Sequence, residues 1–137
     1  MTDDTRSIIL EREIAHPPEK IWRALTTPHL IEEWLMKTDF SPVTGHQFEL
    51  RADWGTVACK VLTIEPGRQL AYTWDAGDDA TGLRSTVTWT LMPSAVGTRL
   101  RMEQSGFRKG QTQYFGGALS GWPRMLDKIE GILARPE

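Results

Sequence analysis

Apolar side chains recur at every second position in six segments of the chain, and this alternation predicts β-strands. The clearest segment is 83–92, where Val87, Trp89 and Leu91 alternate with threonines. Glycine- and proline-containing turns such as Pro66-Gly67 separate neighbouring segments. The predicted strands are 7–15, 47–52, 56–65, 69–75, 83–92 and 98–105.

Three further segments show the spacing of amphipathic helices. Two short helices are predicted after the first strand, at 19–26 and from Pro28 onward, where Thr27 is a candidate N-cap. The longest helix is predicted at 113–134, with an apolar stripe that comprises Trp122, Met125, Leu126, Ile129 and Leu133. The first half of this helix contains residues that oppose helix formation, namely Gly116, Gly117, Gly121 and Pro123. That half therefore depends on tertiary contacts, or it bends near Gly121.

This order of elements predicts one α+β domain over residues 6–134 of the 137 residues. We expect a curved antiparallel sheet of about six strands with one apolar face, covered by the long C-terminal helix. The two short helices would close one edge of the sheet.

Composition and charge narrow the functional classes. The net charge is −2, and basic residues do not cluster, so no nucleic acid partner is expected. No apolar run approaches the length of a membrane helix, so no membrane partner is expected. Cys59 is the single cysteine, which favours a reducing cytoplasmic setting. Neither a metal nor a cofactor is predicted, because His16, His29 and His46 lack the spacing of ligands and no glycine-rich phosphate loop follows a strand.

Large aromatic side chains on the inward faces are the strongest functional signal. Small residues on the first half of the long helix would leave a gap against the sheet, and aromatic walls around such a gap are typical of small-molecule sites. The alternative is that these side chains simply fill the core. The candidate ligand-binding residues are Trp34, Phe48, Trp74, Trp89, Met102, Gln104, Leu119 and Trp122.

Two polar residues interrupt the apolar faces. Gln104 continues the face of Leu100 and Met102, so its amide should point inward and needs a partner, which is backbone, water or a ligand. Arg12 shares the face of Ile8 and Ile14 and either reaches the sheet edge or presents a cation to an acidic ligand.

The chain resembles the helix-grip fold of the START-like (SRPBCC) superfamily, and within it the group named after the activator of heat-shock-protein-90 ATPase homologue. Order and spacing of several segments carry the resemblance: 17–26, 28–34, 72–74, 85–91, 97–100, 105–107, Gly121-Trp122, and Leu126, Ile129 and Leu133. It implies the fold over nearly the whole chain. Its functional range includes ligand carriers, cyclase-like enzymes and chaperone regulators.

Three functional classes follow from the residues and the resemblance together. The first is a carrier or sensor that binds a small hydrophobic molecule between sheet and helix. The second is a cyclase- or hydratase-like enzyme that uses the same cavity; Tyr72 and Tyr114 would then be its proton donors, but we expect no turnover because the inward faces are otherwise apolar. The third is a module that regulates a chaperone ATPase. A homodimer and a chaperone contact remain open as further partners.

Overall fold

The computed structural model describes residues 5–78 and 80–135. The elements of these residues follow the predicted order: β1 (Arg6–Ile14), α1 (Pro18–Thr26), α2 (Pro28–Trp34), β2 (Lys37–Thr38), β3 (Gln47–Ala52), β4 (Gly55–Glu65), β5 (Gln69–Ala76), β6 (Leu83–Pro93), β7 (Thr98–Phe107) and α3 (Thr112–Leu133).

The strands of the described chain form one antiparallel sheet in the order β1-β7-β6-β5-β4-β3-β2. β3 to β7 follow one another as hairpins, and β1 joins the outer side of β7. The predicted α+β helix-grip arrangement is confirmed. The strand beyond the predicted six is β2, whose Lys37 and Thr38 pair with Arg51 and Leu50 of β3.

The concave face of the sheet carries the core. Alternate residues of β6 and β7 point to this face, and Val87, Trp89, Leu100 and Met102 have no exposed surface. Burial of each large apolar side chain contributes roughly 1.5–3 kcal/mol before the entropic cost of ordering it. The alternation of apolar and polar residues in the sequence therefore identifies the face of the sheet that packs in the core.

α3 lies across the concave face, and its two ends are held differently. Lys20 Nζ of α1 donates a hydrogen bond of 2.6 Å to the carbonyl of Leu133 at the C-terminus of α3. The N-terminus of α3 lies at the other end of the sheet, where Gln111 Nε2 donates to the carbonyls of Thr81 and Gly82. Both bonds reach the connection between β5 and β6, and the one to Thr81 is exposed whereas the one to Gly82 is half-buried.

The two halves of α3 differ in burial, although the helix is continuous through Pro123. The second half (residues 123–133) buries Leu126, Ile129 and Leu133, whereas the first half (residues 112–120) buries no residue. Tyr114, Phe115 and Ala118 of the first half are half-buried against the core. The first half therefore covers the sheet with few buried contacts.

Arg12 of β1 fixes the second half of α3. Its guanidinium donates hydrogen bonds of 2.6 Å to Asp127 and Glu130 and one of 3.1 Å to the carbonyl of Pro123. These contacts raise the pKa of the guanidinium, chiefly through Glu130 and then Asp127. Arg12 thus links the edge strand β1 to α3 through hydrogen bonds and ion pairs. The sequence-based alternative that Arg12 presents its cation to a ligand is corrected accordingly.

None of the helices in the described residues has both the length and the apolar character that crossing a membrane requires.

Candidate functional site

Four tryptophans meet between the sheet and α3. The ring centroids of Trp34 and Trp89 are 5.6 Å apart, those of Trp89 and Trp122 are 5.7 Å apart, and those of Trp122 and Trp74 are 5.4 Å apart. All four side chains are buried. We call this set the tryptophan cluster.

The cluster draws on three parts of the fold. Trp74 and Trp89 stand on the concave face of β5 and β6, and Trp89 is paired in register with Met102 of β7. Trp34 ends α2, and its Nε1 donates a 2.8 Å bond to the carbonyl of Ala24 in α1. Trp122 is delivered by α3 at the boundary between its two halves. The strand register and two separate helices thus bring together side chains that lie far apart in the sequence.

A chain of hydrogen bonds crosses this apolar region. Trp122 Nε1 donates to Gln104 Oε1 at 2.7 Å, and Gln104 Nε2 donates to Ser85 Oγ at 3.0 Å. Ser85 Oγ donates in turn to the carbonyl of Trp74 at 2.8 Å. Gln104 is 1% exposed, so the predicted inward orientation of its amide is observed. Its partners are the side chains of Trp122 and Ser85, whereas the sequence had left the backbone, water or a ligand as alternatives.

Ser85 is a site residue that the sequence reasoning missed. It lies between Leu83 and Val87 on the same face of β6, so the alternation of the strand already places it inward. The available signal was that Ser85 and Gln104 are polar residues at inward-facing positions of the neighbouring strands β6 and β7.

The two buried groups of the described core that exchange protons are held neutral. Trp89 Nε1 donates to the hydroxyl of Tyr72 at 3.1 Å, and burial raises the pKa of Tyr72 above its ordinary range. Burial likewise raises the pKa of the Cys59 thiol, with smaller contributions from Asp75 and Asp39. At neutral pH neither group is an anion, so neither is a nucleophile or a base.

Phe48 extends the aromatic region toward β3. Its ring makes edge-to-face contacts with Tyr72, at 5.5 Å between centroids, and with Phe40, at 5.1 Å. Tyr72 links it to the tryptophan cluster through the hydrogen bond from Trp89. The structure therefore joins Phe48 to the other inward candidates through one intermediate residue.

Leu119 does not face this region. Half of its surface is exposed, because it belongs to the half of α3 that buries no residue. The sequence-based placement of Leu119 on the inward wall is corrected accordingly. The half-buried residue Ala118 occupies the inner side of this half instead.

A small surface pocket of about 90 Å³ lies beside the start of α3, where β1 begins and β7 ends. Phe107 and Phe115 form part of its wall, with ring centroids 5.3 Å apart, and the Arg6 guanidinium lies 5.3 Å from the Phe115 ring. The tryptophan cluster lies deeper, and its rings fill the space between the sheet and the helix in this conformation.

Acidic, histidine and cysteine side chains do not assemble into a metal site in the part of the chain that the structure describes, since no three of them converge. The candidate site is therefore a mostly apolar, aromatic region with one internal line of polar groups. Such a lining can bind an apolar molecule and orient it through the amide of Gln104.

Within residues 5–78 and 80–135, a seven-stranded antiparallel sheet wraps a long C-terminal helix, with two short helices after β1, and this arrangement is that of a START-like (SRPBCC) domain. The family model described as "Activator of Hsp90 ATPase homolog 1-like protein" matches residues 15–134, and the chain belongs to this family. The resemblance seen in the sequence is thereby confirmed.

Solved structures agree with this assignment. Protein MLL2253 from Mesorhizobium loti is 56% identical, with a TM-score of 0.92 over 96% of this chain and 99% of that one. Protein BH1534 from Bacillus halodurans is 25% identical, with a TM-score of 0.79 over 93% of this chain and 96% of that one. CalU16 from Micromonospora echinospora is 25% identical, with a TM-score of 0.77 over 95% of this chain and 77% of that one. Among curated proteins, none matches the chain.

Proposed function

We propose that the protein binds a small, largely apolar molecule between the concave face of the sheet and the first half of α3. The observation that carries the proposal is the contrast within α3. Its second half is packed by Leu126, Ile129 and Leu133, whereas its first half buries no residue, although its Phe115 ring contacts Phe107 of β7. A segment with few buried contacts opens at low cost in free energy.

The chemistry under this half of the helix suits an apolar ligand. Aromatic rings and Met102 supply contact area, and Gln104 supplies one internal polar group. The buried polar side chains of the described residues are Ser85, Thr98 and Gln104, all uncharged, so a charged group would lose its hydration here without an ionic partner. Small-molecule sites generally combine apolar walls with a few placed polar groups in this way.

Binding is favoured over catalysis by the state of the buried proton-exchanging groups. General acid–base catalysis is most effective when the pKa of the catalytic group lies near the working pH. Burial moves the pKa values of Tyr72 and Cys59 in the opposite direction, away from neutrality. These groups supply a neutral surface for a ligand.

A titration with the neutral fluorescent probe N-phenyl-1-naphthylamine tests the proposal. We expect saturable one-to-one binding to the wild-type protein. Ala118→Leu adds bulk to the inner side of the first half of α3 and should weaken binding by about tenfold or more. Gly117→Leu is the matched control, because Gly117 is exposed and a Cβ added there meets no atom of another part of the molecule within 4 Å.

The comparison separates a specific site from general surface adsorption. Both variants add the same side chain to neighbouring positions of one helix. Equal affinity in the two variants, or emission that rises linearly without saturation in the wild type, would contradict the proposed site. Native mass spectrometry of protein purified from its own host would then identify the natural ligand through the co-purifying mass.

A further inference from the structure

The indole of Trp122 occupies a position in which it resembles a bound molecule. It is a flat ring in contact with Trp74 and Trp89, and it donates one hydrogen bond to a buried amide oxygen. The other rings of the tryptophan cluster come from the sheet or from α2, which Trp34 ties to α1. Trp122 is the member of the cluster that α3 carries, and it lies next to the less buried first half of that helix.

The backbone around Trp122 provides a point of flexure. Gly121 precedes it, and Pro123 follows it without an N–H, so the carbonyl of Leu119 lacks its helical donor. Arg12 holds the carbonyl of Pro123, which fixes the helix from that residue onward. Residues 112–120, which bury no side chain, can therefore move more easily than the second half of α3, and Trp122 at the boundary would follow only at the cost of its own buried contacts.

The start of this segment is held by two side-chain hydrogen bonds from Gln111 and by the contact of the Phe115 ring with Phe107. Gln111 donates an exposed hydrogen bond to the carbonyl of Thr81, where water can replace a broken bond, and a half-buried one to the carbonyl of Gly82. Movement of the segment would withdraw Trp122 and leave Gln104 Oε1 without a donor in an apolar environment. A buried acceptor without a donor is unfavourable, so an entering molecule that donates a hydrogen bond is selected.

We propose that the ligand is a neutral, planar aromatic molecule with an O–H or N–H donor on its edge, and that it displaces the Trp122 indole and donates to Gln104 Oε1. This inference rests on the proposed binding function and adds the chemical class of the ligand. Planarity follows from the flat shape of the indole that the ligand replaces, neutrality from the uncharged buried side chains around it, and the donor from the orientation of the Gln104 amide.

Binding of three probes to the wild-type protein tests this ligand class: 2-naphthol, 2-methylnaphthalene and 1-octanol. 2-Naphthol is planar and carries a donor, 2-methylnaphthalene has nearly the same shape without the donor, and octanol has the donor without the plane. We expect 2-naphthol to bind about tenfold or more tightly than either of the others. At saturation with 2-naphthol, the indole N–H resonance of Trp122 should leave its hydrogen-bonded position and exchange with water.

Trp122→Phe provides a second, independent measurement. Phenylalanine keeps an aromatic ring but has no N–H, so Gln104 Oε1 is free for the ligand, and 2-naphthol should bind more tightly than to the wild type. Trp74→Phe is the matched control, because Gln104 bonds to Trp122 and Ser85 and not to the Trp74 ring. It should bring no such gain.

The outcomes separate this inference from the proposed function. Equal affinity for 2-naphthol and 2-methylnaphthalene, a preference for octanol, or an unmoved Trp122 resonance at saturation would overturn the inference while leaving a binding site in place. Failure of every probe to bind the wild type and Trp122→Phe would overturn both.

Discussion

Gln104 shows what a single position in the sequence reveals. Its inward orientation follows from the alternation of β7, since Leu100 and Met102 precede it on the same face. Its partners could not be predicted, because Trp122 belongs to α3 and Ser85 to β6, and only the packed fold brings them within hydrogen-bond distance. A polar residue on an apolar face is therefore identifiable from sequence as a position that needs a partner, without revealing which one.

Replacing Gln104 by leucine should destabilise the protein. The substitution leaves the buried N–H of Trp122 without an acceptor, and such a loss costs roughly 1–3 kcal/mol. We expect the free energy of unfolding in urea to fall by about this amount. Gln113→Leu is the control, because Gln113 is exposed on the first turn of α3 and its loss should change little.

The double variant Gln104→Leu/Trp122→Phe distinguishes an unpaired N–H from a simple change of shape. Removal of both hydrogen-bonding groups should recover part of the lost stability, because no buried donor then lacks an acceptor. Strictly additive losses in the cycle would show that the hydrogen bond to Trp122 is not the cause.

Tyr72 and Cys59 predict a loss of stability in alkaline solution. The folded state raises the pKa of both groups, so folding is favoured by their protonated forms. The stabilisation is complete below the pKa values of the unfolded chain, about 8.5 for the thiol and about 10 for the phenol. Above these values the unfolded chain releases protons that the folded chain retains, and the free energy of unfolding decreases by up to about 1.4 kcal/mol per pH unit for each group.

Urea unfolding between pH 7 and pH 11 measures this effect. Cys59→Ala should remove the part of the slope that begins near pH 8.5, and Tyr72→Phe should remove the part that begins near pH 10. A pH profile that is unchanged by either substitution would mean that ionisation of other groups causes the alkaline loss.

At the scale of elements, the strands were predictable and the short edge strand was not. The six predicted strands correspond to β1 and β3–β7, because each is long enough to show several alternations. β2 contains only Lys37 and Thr38, and its existence depends on pairing with β3. Two residues carry no periodicity, so the local sequence could not indicate this strand.

α3 was predicted as one helix, and its division into two halves is a consequence of tertiary packing. Hydrogen exchange should reveal this division as faster exchange of backbone amides in residues 113–120 than in residues 126–133. Pro123→Ala restores the missing helical donor for the Leu119 carbonyl and should slow exchange in the first half. It should also stabilise the helix, by at most about 3 kcal/mol.

Gly131→Ala is the matched control for this experiment. Gly131 lies in the second half, and an added methyl group meets no atom within 4 Å. It should stabilise the helix by about 1 kcal/mol without slowing exchange selectively in the first half. Equal effects of the two substitutions on residues 113–120 would argue against a flexure point at Pro123.

For the whole molecule, the sequence was sufficient for the architecture and insufficient for the state of the site. The apolar face of the sheet and the stripe of α3 define which surfaces meet, and both were visible in the pattern of the chain. Whether the aromatic side chains enclose a space or fill it depends on register and side-chain orientation. Here the rings are in contact, with Trp89 adjacent to both Trp34 and Trp122.

Because the tryptophan cluster connects α2, the sheet and α3, a ligand bound there should stabilise the entire domain. At a concentration one hundred times its dissociation constant, a ligand specific for the folded state adds about 2.7 kcal/mol. For a domain of this size, the melting temperature should rise by about 8–10 °C. The same ligand should be recovered chemically unchanged after prolonged incubation, because burial raises the pKa of Tyr72 and of Cys59, which makes the phenol a poor proton donor and the thiol a poor nucleophile near neutral pH. Differential scanning calorimetry and mass spectrometry of the extracted ligand check the two expectations. A shift in melting temperature together with a changed ligand mass, abolished by Tyr72→Phe, would instead indicate an enzyme.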